Sequence, residues 1–208
     1  MTMIELVIVI AVVTILATIA LSTSSRNRAA ASRIACVNNL KEIGLAFKLW
    51  PSDAYQGCFP MQVSVTNGGS MEFVGKGAVF THFLAMSNEL TTPKILCCPS
   101  DLERTRLLSL ASWQGLSNSN VSYFVAMDVT ESNLDMVLAG DRNLTNGAQP
   151  IRGLLSLPPN RPAGWTTDLH NRQGNVLLAD GSVQQVTTPR LGDTLRASSP
   201  ITNRLEMP

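Results

Sequence analysis

The sequence predicts an α+β protein in which one long N-terminal helix packs on a small antiparallel β-sheet head. Three observations carry this prediction: an uncharged apolar run over Leu6–Leu21, an apolar stripe of helical spacing that continues to Trp50, and a change of texture after Pro51. Beyond Pro51, Gly, Asn, Ser, Thr and Pro punctuate short apolar runs, which is typical of strands joined by turns. Residues 1–25 are predicted to form the apolar, transmembrane half of the helix, and residues 26–208 the globular head.

One helix is predicted from about Thr2 to Trp50, since no proline interrupts it. Its first half is apolar on every side and needs lipid or like helices around it. Its second half, residues 26–50, is amphipathic and needs the core of the β-rich remainder, residues 51–208. Ser22–Ser25 is expected to be the segment most prone to lose helical hydrogen bonds in a polymer, because Ser and Thr compete for them. The apolar stripe comprises Ala30, Ile34, Val37, Leu40, Ile43, Phe47 and Trp50.

The clearest hairpin of the head is formed by Asn175–Ala179 and Ser182–Val186, which flank the two-residue turn Asp180-Gly181. The polar tail from Thr187 is predicted to wrap the surface. Other short segments of the head are also predicted to be regular. They are a hairpin formed by Gln62–Thr66 and Met71–Val74, a short helix over Val79–Leu90, a buried strand or turn over Lys94–Cys98, and strands over Val121–Met127 and Met136–Ala139.

Composition excludes several classes of protein. The formal net charge of the 208 residues is +1, and basic and aromatic residues do not interleave, so no nucleic-acid site is predicted. Cys36, Cys58, Cys97 and Cys98 include no Cys-x-x-Cys pair, which argues against a zinc ribbon or covalently bound haem. An even number of cysteines suits disulfides in an exported head, and four buried thiols in a cytosolic protein are the alternative.

The segment from Met1 to Glu5, followed by an apolar helix, resembles the mature start of type IV pilins and type II secretion pseudopilins. The family typically begins Phe-Thr-Leu-Ile-Glu, so Met1 replaces Phe. The resemblance implies a pilin fold, cleavage by prepilin peptidase before Met1, and N-methylation of Met1. It also implies assembly by pilus or secretion machinery.

A second set of segments resembles the pilin-like proteins of planctomycetes and verrucomicrobia. These proteins carry a prepilin-type His-x9-Asp-Gly segment near the C-terminal end, matched here by His170, Asp180 and Gly181. The resemblance spans nearly the whole chain and indicates its architecture better than its physiological task. The other matching segments are Cys36–Ala46, Phe59-Pro60, Cys98–Asp101, Ser122-Tyr123 and Gly140–Asn143.

Glu5 is the most informative single residue, because a carboxylate among apolar side chains is costly unless it is paired. The expected partner is the α-ammonium group that cleavage before Met1 creates. Residues 1 and 5 of one helix stack a turn apart, so the amine of a neighbouring subunit reaches Glu5 more easily. The pair therefore also sets the axial register of the polymer. An ordinary membrane anchor with one interfacial acid is the alternative.

Four cysteines allow three disulfide pairings. A vicinal Cys97–Cys98 bridge leaves Cys36 to meet Cys58, whereas two long-range links join the helix and its following loop to Cys97-Cys98. Cys36 and Cys98 lie in the two segments that most resemble the pilin-like family. On that basis we pair Cys36 with Cys98 and Cys58 with Cys97.

A Cys–His–Asp catalytic set of Cys36, His170 and Asp180 is not favoured. Asp180 lies in the turn after a strand that begins near Asn175 and is roughly 15 Å long, so His170 is expected near the far end of that strand. We therefore predict that Asp180-Gly181 supplies a turn with positive φ and that His170 hydrogen-bonds or caps a loop. No enzyme activity, cofactor or metal site is predicted.

Short motifs bear on glycosylation and on calcium binding. Asn120-Val-Ser and Asn143-Leu-Thr fit glycan acceptor sequons, so Asn120 and Asn143 are candidate glycosylation sites. Several aspartates fall in loop-like contexts, but the spacing Asp-x-Asp-x-Asp-Gly of calcium loops does not occur.

The predicted function is that of a structural subunit that polymerises through its N-terminal helix into a type IV pilus-like extracellular filament. The predicted partners are further copies of the chain, the inner membrane before assembly, prepilin peptidase and the assembly machinery. One alternative is a minor pseudopilin of a type II secretion machine. The other is a membrane-anchored binding module that never polymerises and therefore tolerates Glu5→Ala.

Overall fold

The computed structural model describes residues 2–50, 57–107, 110–146, 152–158, 161–198 and 202–208, with the side chains of 20–26 and 110–112 left aside. Within these ranges the fold is α+β, as predicted. The helices are α1 (Met3–Leu49), α2 (Phe80–Leu84) and α3 (Thr188–Ser198). The strands are β1 (Tyr123–Ala126), β2 (Val137–Asp141), β3 (Leu144–Thr145), β4 (Gly153–Leu157), β5 (Gly164–Trp165), β6 (Gln173–Leu178), β7 (Val183–Thr187) and β8 (Asn203–Met207).

Six strands form one antiparallel sheet in the order β4-β8-β1-β2-β6-β7, and β3 pairs separately with β5. The C-terminal strand β8 lies inside this sheet, between β4 and β1. The prediction that the tail wraps the surface is therefore wrong. Leu205 and Met207 are buried, and Glu206 is also buried, so the chain end contributes to the core.

Helix α1 begins and ends almost where it was predicted. Thr2 caps its start, because the Thr2 hydroxyl accepts a hydrogen bond from the backbone N–H of Glu5, while the Glu5 carboxylate accepts one from the backbone N–H of Thr2. The helix is continuous through Ser22–Ser25 in the single chain, and the behaviour of that segment in a polymer stays a prediction.

The apolar stripe of α1 meets the head over its C-terminal part. Ala30 is exposed and Ile34 is 59% exposed, so the predicted stripe is wrong at its start. The reason is that the head covers the apolar face of α1 only from Cys36 onward, although Arg33 already hydrogen-bonds to the head. The main contacts of α1 are with β6, with β7 and with the short 3-10 helix Pro93–Leu96. The buried hydrophobic residues of α1 and its C-cap are Cys36, Leu40, Ile43, Ala46, Phe47 and Trp50.

The hairpin predicted over Gln62–Thr66 and Met71–Val74 is wrong. Three 3-10 turns, beginning at Pro60, Val65 and Met71, occupy the region instead. The Glu72 carboxylate accepts hydrogen bonds from the Ser64 hydroxyl and from the backbone N–H of Val65, which holds the turns together without a strand ladder. These side-chain contacts compete with backbone pairing.

Two neighbouring predictions also need correction. The helix expected over Val79–Leu90 is limited to the five residues of α2, and tight turns complete the segment. The segment expected as a strand or turn over Lys94–Cys98 begins as the 3-10 helix Pro93–Leu96. Pro93 presets its first turn, and the hydroxyl of Thr92 accepts a hydrogen bond from the backbone N–H of Lys94.

The hairpin of β6 and β7 is confirmed. Gly181 has φ of +88°, which a glycine adopts without strain, and Asp180 Oδ1 accepts a hydrogen bond of 2.7 Å from the backbone N–H of Ser182. Lys48 of α1 donates to the carbonyl of Asp180, so the turn is also fastened to the helix.

The N-terminal part of α1 leaves its apolar side chains uncovered. Eleven large apolar residues between Met3 and Leu16 are each 47% to 82% exposed. The exposure occurs on all sides of the helix, as the continuous row of exposed positions shows. Among the helices that the structure describes, none combines the length and the apolar character needed to cross a membrane.

A pair of glycine substitutions tests the contact between α1 and the sheet. A Cβ at Gly44 lies 2.7 Å from Cδ1 of the buried Leu177, so Gly44→Ala overpacks this contact and is expected to cost about 1–2 kcal/mol of unfolding free energy. The matched control is Gly192→Ala in α3, where the nearest atom is 3.8 Å away and the helix gains up to about 1 kcal/mol. Denaturant unfolding of the full chain in mild detergent measures both. Equal effects at the two positions contradict close packing at Gly44.

Candidate functional site

A disulfide joins helix α1 to the head where the helix first becomes buried. Cys36 on α1 and Cys98, just after the 3-10 helix Pro93–Leu96, are bonded, and their Cα atoms are 5.2 Å apart. Both residues are buried at 1% exposure or less. This confirms the first of the two predicted pairs.

The second predicted pair, Cys58–Cys97, is wrong, because both cysteines are free. Cys58 is half-buried and its backbone forms an isolated antiparallel bridge with Thr130. The sulfur of Cys97 instead faces the Ser122 hydroxyl and the carbonyl of Arg104, both 3.9 Å away. The two cysteines are held by different neighbours, so the predicted bridge does not form.

Polar side chains surround the disulfide, and we call Cys36, Cys98, Asp141, His170 and Asn175 the junction cluster. Nε2 of His170 lies 3.6 Å from Sγ of Cys98 and 3.5 Å from Oδ2 of Asp141. The same Oδ2 accepts two hydrogen bonds from Asn175, of 2.7 Å from its backbone N–H and 2.8 Å from its side-chain amide. All five residues are at most 4% exposed.

Burial sets the charges of the junction cluster. It raises the pKa of the Asp141 carboxyl to about 7, although the hydrogen bonds from Asn175 favour the ionised form. Burial, followed by the positive charge of Arg33, lowers the pKa of His170 to about 4. The imidazole is therefore neutral at pH 7, with one ring nitrogen free of a proton.

Hydrogen bonds from α1 and an ion pair between the segments Cys98–Asp101 and Gly140–Asn143 surround the junction cluster. The Arg33 guanidinium of α1 donates to the side-chain oxygen of Gln173 and to the carbonyl of His170, both at 2.7 Å. Next to Asp141, Arg142 forms a two-bond ion pair with Asp101, each bond 2.7 Å long. Segments that the resemblance singled out separately, around residues 36, 98, 140 and 170, thus converge at one place.

The His-x9-Asp-Gly segment divides between two places. His170 belongs to the junction cluster just before β6, whereas Asp180 and Gly181 form the turn that follows this strand. The predicted turn with positive φ is confirmed. His170 contacts Asp141 rather than Asp180, a partner that the sequence analysis did not identify, although Asp141 lies in the segment Gly140–Asn143 that it had singled out.

Neither glycosylation candidate presents its amide to solvent in the folded head. Asn120 is 5% exposed and donates its side-chain N–H to the carbonyl of Thr105. Asn143 is 1% exposed and donates to the carbonyls of Thr166 and Gln173. Both predictions are therefore wrong for the folded chain, because each amide is needed to satisfy a buried backbone acceptor.

A second buried cluster has the composition of a Ser–His–Glu catalytic triad. The Ser70 hydroxyl lies 2.8 Å from Nδ1 of His82, and Nε2 of His82 lies 3.5 Å from Oε2 of Glu206. All three residues are at most 1% exposed, so a substrate has no access to the hydroxyl. Glu206 also accepts hydrogen bonds from the backbone N–H groups of Gly75 and Ala78, which fastens β8 to the loop before α2.

The described residues also form an open cleft of about 630 Å³ beside β5 and the start of α3. Trp165 lies in it, and Asn171 and Arg172, whose φ values are +52° and +60°, stand at its edge. Its lining includes no carboxylate, cysteine or histidine. The polar residues of its lining are three threonines, Asn171, Gln173 and Arg172.

Comparison with known proteins finds no matching family model, no similar curated protein and no similar solved structure. The function of the chain is therefore inferred from its own residues and their geometry.

Removal of the disulfide is expected to destabilise the head. Cys36→Ser/Cys98→Ser is expected to lower the free energy of unfolding by about 4 kcal/mol, because the bond closes a loop of 62 residues in the unfolded chain. Denaturant unfolding measures the loss. Cys58→Ser is the control and is expected to change stability by less than about 0.5 kcal/mol. Recovery of four free thiols from the native protein contradicts the pairing.

Acid is expected to weaken the link between β8 and α2. Burial opposes ionisation of Glu206, but the adjacent His82 and the backbone N–H of Gly75 outweigh it and hold the pKa of this carboxyl below its usual value of 4.5. A depressed pKa stabilises the fold fully above the unfolded value, and this contribution is lost as the pH falls through the folded value. Wild type is therefore expected to lose more stability than Glu206→Gln between pH 5 and pH 3, as thermal unfolding measures. Parallel pH profiles contradict this assignment.

Proposed function

We propose that the chain is a structural subunit that polymerises through the N-terminal part of α1 into a type IV pilus-like extracellular filament. The observation that carries the proposal is the exposure of eleven large apolar side chains between Met3 and Leu16. Exposed apolar surface on this scale marks an interaction site. A helix that is apolar on every side requires a surround of lipid or of like helices, and a bundle of identical α1 helices provides it.

Glu5 favours an ordered polymer over non-specific burial of the apolar segment of α1. Within one chain its carboxylate is used in the cap of α1, where it accepts a hydrogen bond of 2.6 Å from the backbone N–H of Thr2. This bond leaves the negative charge uncompensated once the apolar segment is surrounded. An α-ammonium group at Met1 of a neighbouring copy is the complementary charge that we propose; Met1 itself lies outside the described residues.

The construction of the junction also suits a filament subunit. The helix that enters the polymer is joined to the head by the Cys36–Cys98 bond, by Arg33 and by the contact of Lys48 with the turn of β6 and β7. Force on the head is therefore transmitted to α1 through a covalent bond and through hydrogen bonds from two cationic side chains. A head that only tethers a binding site needs no such rigid connection.

The remaining parts of the proposal follow from the resemblance of the N-terminal segment to pilins. Prepilin peptidase exposes and methylates Met1, the chain resides in the inner membrane, and pilus or secretion machinery then assembles it. The chain has no catalytic function. The burial of the two enzyme-like clusters supports a structural role, because neither the Ser70 hydroxyl nor the Cys98 sulfur is open to a substrate.

The polymer hypothesis is tested with two substitutions that separate the charge of Glu5 from its cap. Glu5→Gln keeps a side-chain oxygen that accepts from the Thr2 N–H but removes the charge, whereas Glu5→Leu removes both. We expect both variants to accumulate as folded subunits without filaments, because an unpaired buried ammonium costs about 3–5 kcal/mol. Electron microscopy of shed material shows whether filaments form, and immunoblotting of cell fractions measures how much subunit accumulates.

Other outcomes favour other functions. Filaments from Glu5→Gln but not from Glu5→Leu reduce Glu5 to a helix cap and contradict the charge pair. Full tolerance of both substitutions, with no filament from wild type, indicates a membrane-anchored binding module. Short wild-type assemblies that require a second, more abundant subunit indicate a minor pseudopilin.

A further inference from the structure

Three side chains that are common metal ligands meet where α1 joins the head. The ligand atoms of Cys36, Cys98 and His170 all lie within 4.8 Å of one another, and all three residues are buried. Thiolate and neutral imidazole are the ligands that zinc prefers in proteins. In the oxidised chain the two sulfurs are bonded to each other, so this set becomes available only in the dithiol form.

We propose that the dithiol form of the chain binds one Zn²⁺ ion through Cys36, Cys98 and His170, with the carboxylate of Asp141 beside the site. The distance between Nε2 of His170 and Sγ of Cys98 is 3.6 Å. Zn–N and Zn–S bonds of about 2.05 and 2.3 Å at a tetrahedral angle separate nitrogen and sulfur by about 3.6 Å. This edge of the coordination tetrahedron is therefore already in place.

Asp141 provides a second, independent observation. Its carboxylate oxygen Oδ2 lies 3.5 Å from Nε2 of His170, so the carboxylate is next to the proposed ligand set. Among the described residues its other oxygen, Oδ1, has no hydrogen-bond partner, although the residue is completely buried. A buried carboxylate with an unpartnered oxygen is costly, and a divalent cation beside it offsets that cost. Asn175 holds the carboxylate in position through Oδ2.

The charges of the site also suit a divalent ion. Two thiolates, one carboxylate and Zn²⁺ sum to a single negative charge, and the Arg33 guanidinium, which donates to the carbonyl of His170, supplies a positive one. Nearby Asp101 is already neutralised by Arg142. The two sulfur ligands favour zinc over calcium or magnesium, which take oxygen ligands.

The disulfide and the metal site exclude each other. A phosphine reductant gives two electrons to the Cys36–Cys98 bond and takes the oxygen of one water, which leaves a phosphine oxide and two thiols. Zinc then displaces the two thiol protons. The sulfurs must separate from bonding distance, about 2.05 Å, to about 3.8 Å, which rotation of the cysteine side chains provides.

The test uses the full chain in mild detergent, reduced with a phosphine under anaerobic conditions and titrated with Co²⁺ as a spectroscopic probe. We expect one Co²⁺ per chain, with thiolate-to-cobalt charge transfer and the intense visible bands of tetrahedral cobalt, and displacement by Zn²⁺. The oxidised chain is expected to show neither band. Cys58→Ser/Cys97→Ser is the matched control and is expected to retain the spectrum, because neither sulfur belongs to the site.

Substitutions of His170 and of the neighbouring Asp141 test the assignment of the zinc site. His170→Ala and Asp141→Asn are each expected to weaken Zn²⁺ binding by at least about tenfold. Circular dichroism of the oxidised variants checks that they fold. If His170→Ala does not fold, the wild-type chain still decides the question, because Zn²⁺ is expected to raise the unfolding temperature of the reduced form and not of the oxidised form. The proposal is overturned if the reduced chain shows no thiolate–cobalt band, or if His170→Ala and Asp141→Asn both leave the affinity for Zn²⁺ unchanged.

Discussion

The rest of the structure depends on one constraint: the apolar side chains between Met3 and Leu16 are not buried within the part of the chain that is described. Burying a Val, Leu, Ile or Met side chain contributes about 1.5–3 kcal/mol, so the eleven exposed side chains represent a free energy larger than the stability of a typical domain. A surface of this kind does not persist in water. Lipid or further copies of the helix must therefore bury it, and every functional hypothesis has to include such surroundings.

The C-terminal part of α1, in contrast, is buried by the chain's own head. The same continuous helix that is exposed near its start lies against β6 and β7 near its end, where Leu40, Ile43 and Phe47 are completely buried. The transition between these surroundings occurs near Arg33 and Cys36. At this point a disulfide and the hydrogen bonds of Arg33 to Gln173 and His170 join the helix to the head.

The two buried polar clusters show why residue types alone do not establish an activity. Cys98, His170 and Asp141 match a thiol-based set, and Ser70, His82 and Glu206 match a hydroxyl-based one. In both clusters a chain end or a loop is fastened by groups that are removed from solvent. Buried polar groups must find partners, and a histidine placed beside an acid is one way to achieve this.

The sequence by itself determined the features that depend on residues close together along the chain. The extent of α1 follows from apolar spacing and the absence of proline, and the turn at Gly181 follows from a local need for positive φ. The pairing of Cys36 with Cys98 came from a resemblance of two segments to a family, and the structure confirmed it.

Tertiary structure alone decided the rest. The insertion of β8 between β4 and β1, the free state of Cys58 and Cys97, and the meeting of His170 with Asp141 all depend on contacts between distant segments. The turns between Pro60 and Phe73 are held by backbone bonds from Ser70 to Pro60 and from Met71 to Val63, together with the hydrogen bonds of the Glu72 carboxylate. Local propensity carries no information about which distant partner satisfies a buried polar group, and the packing of the complete chain selects that partner.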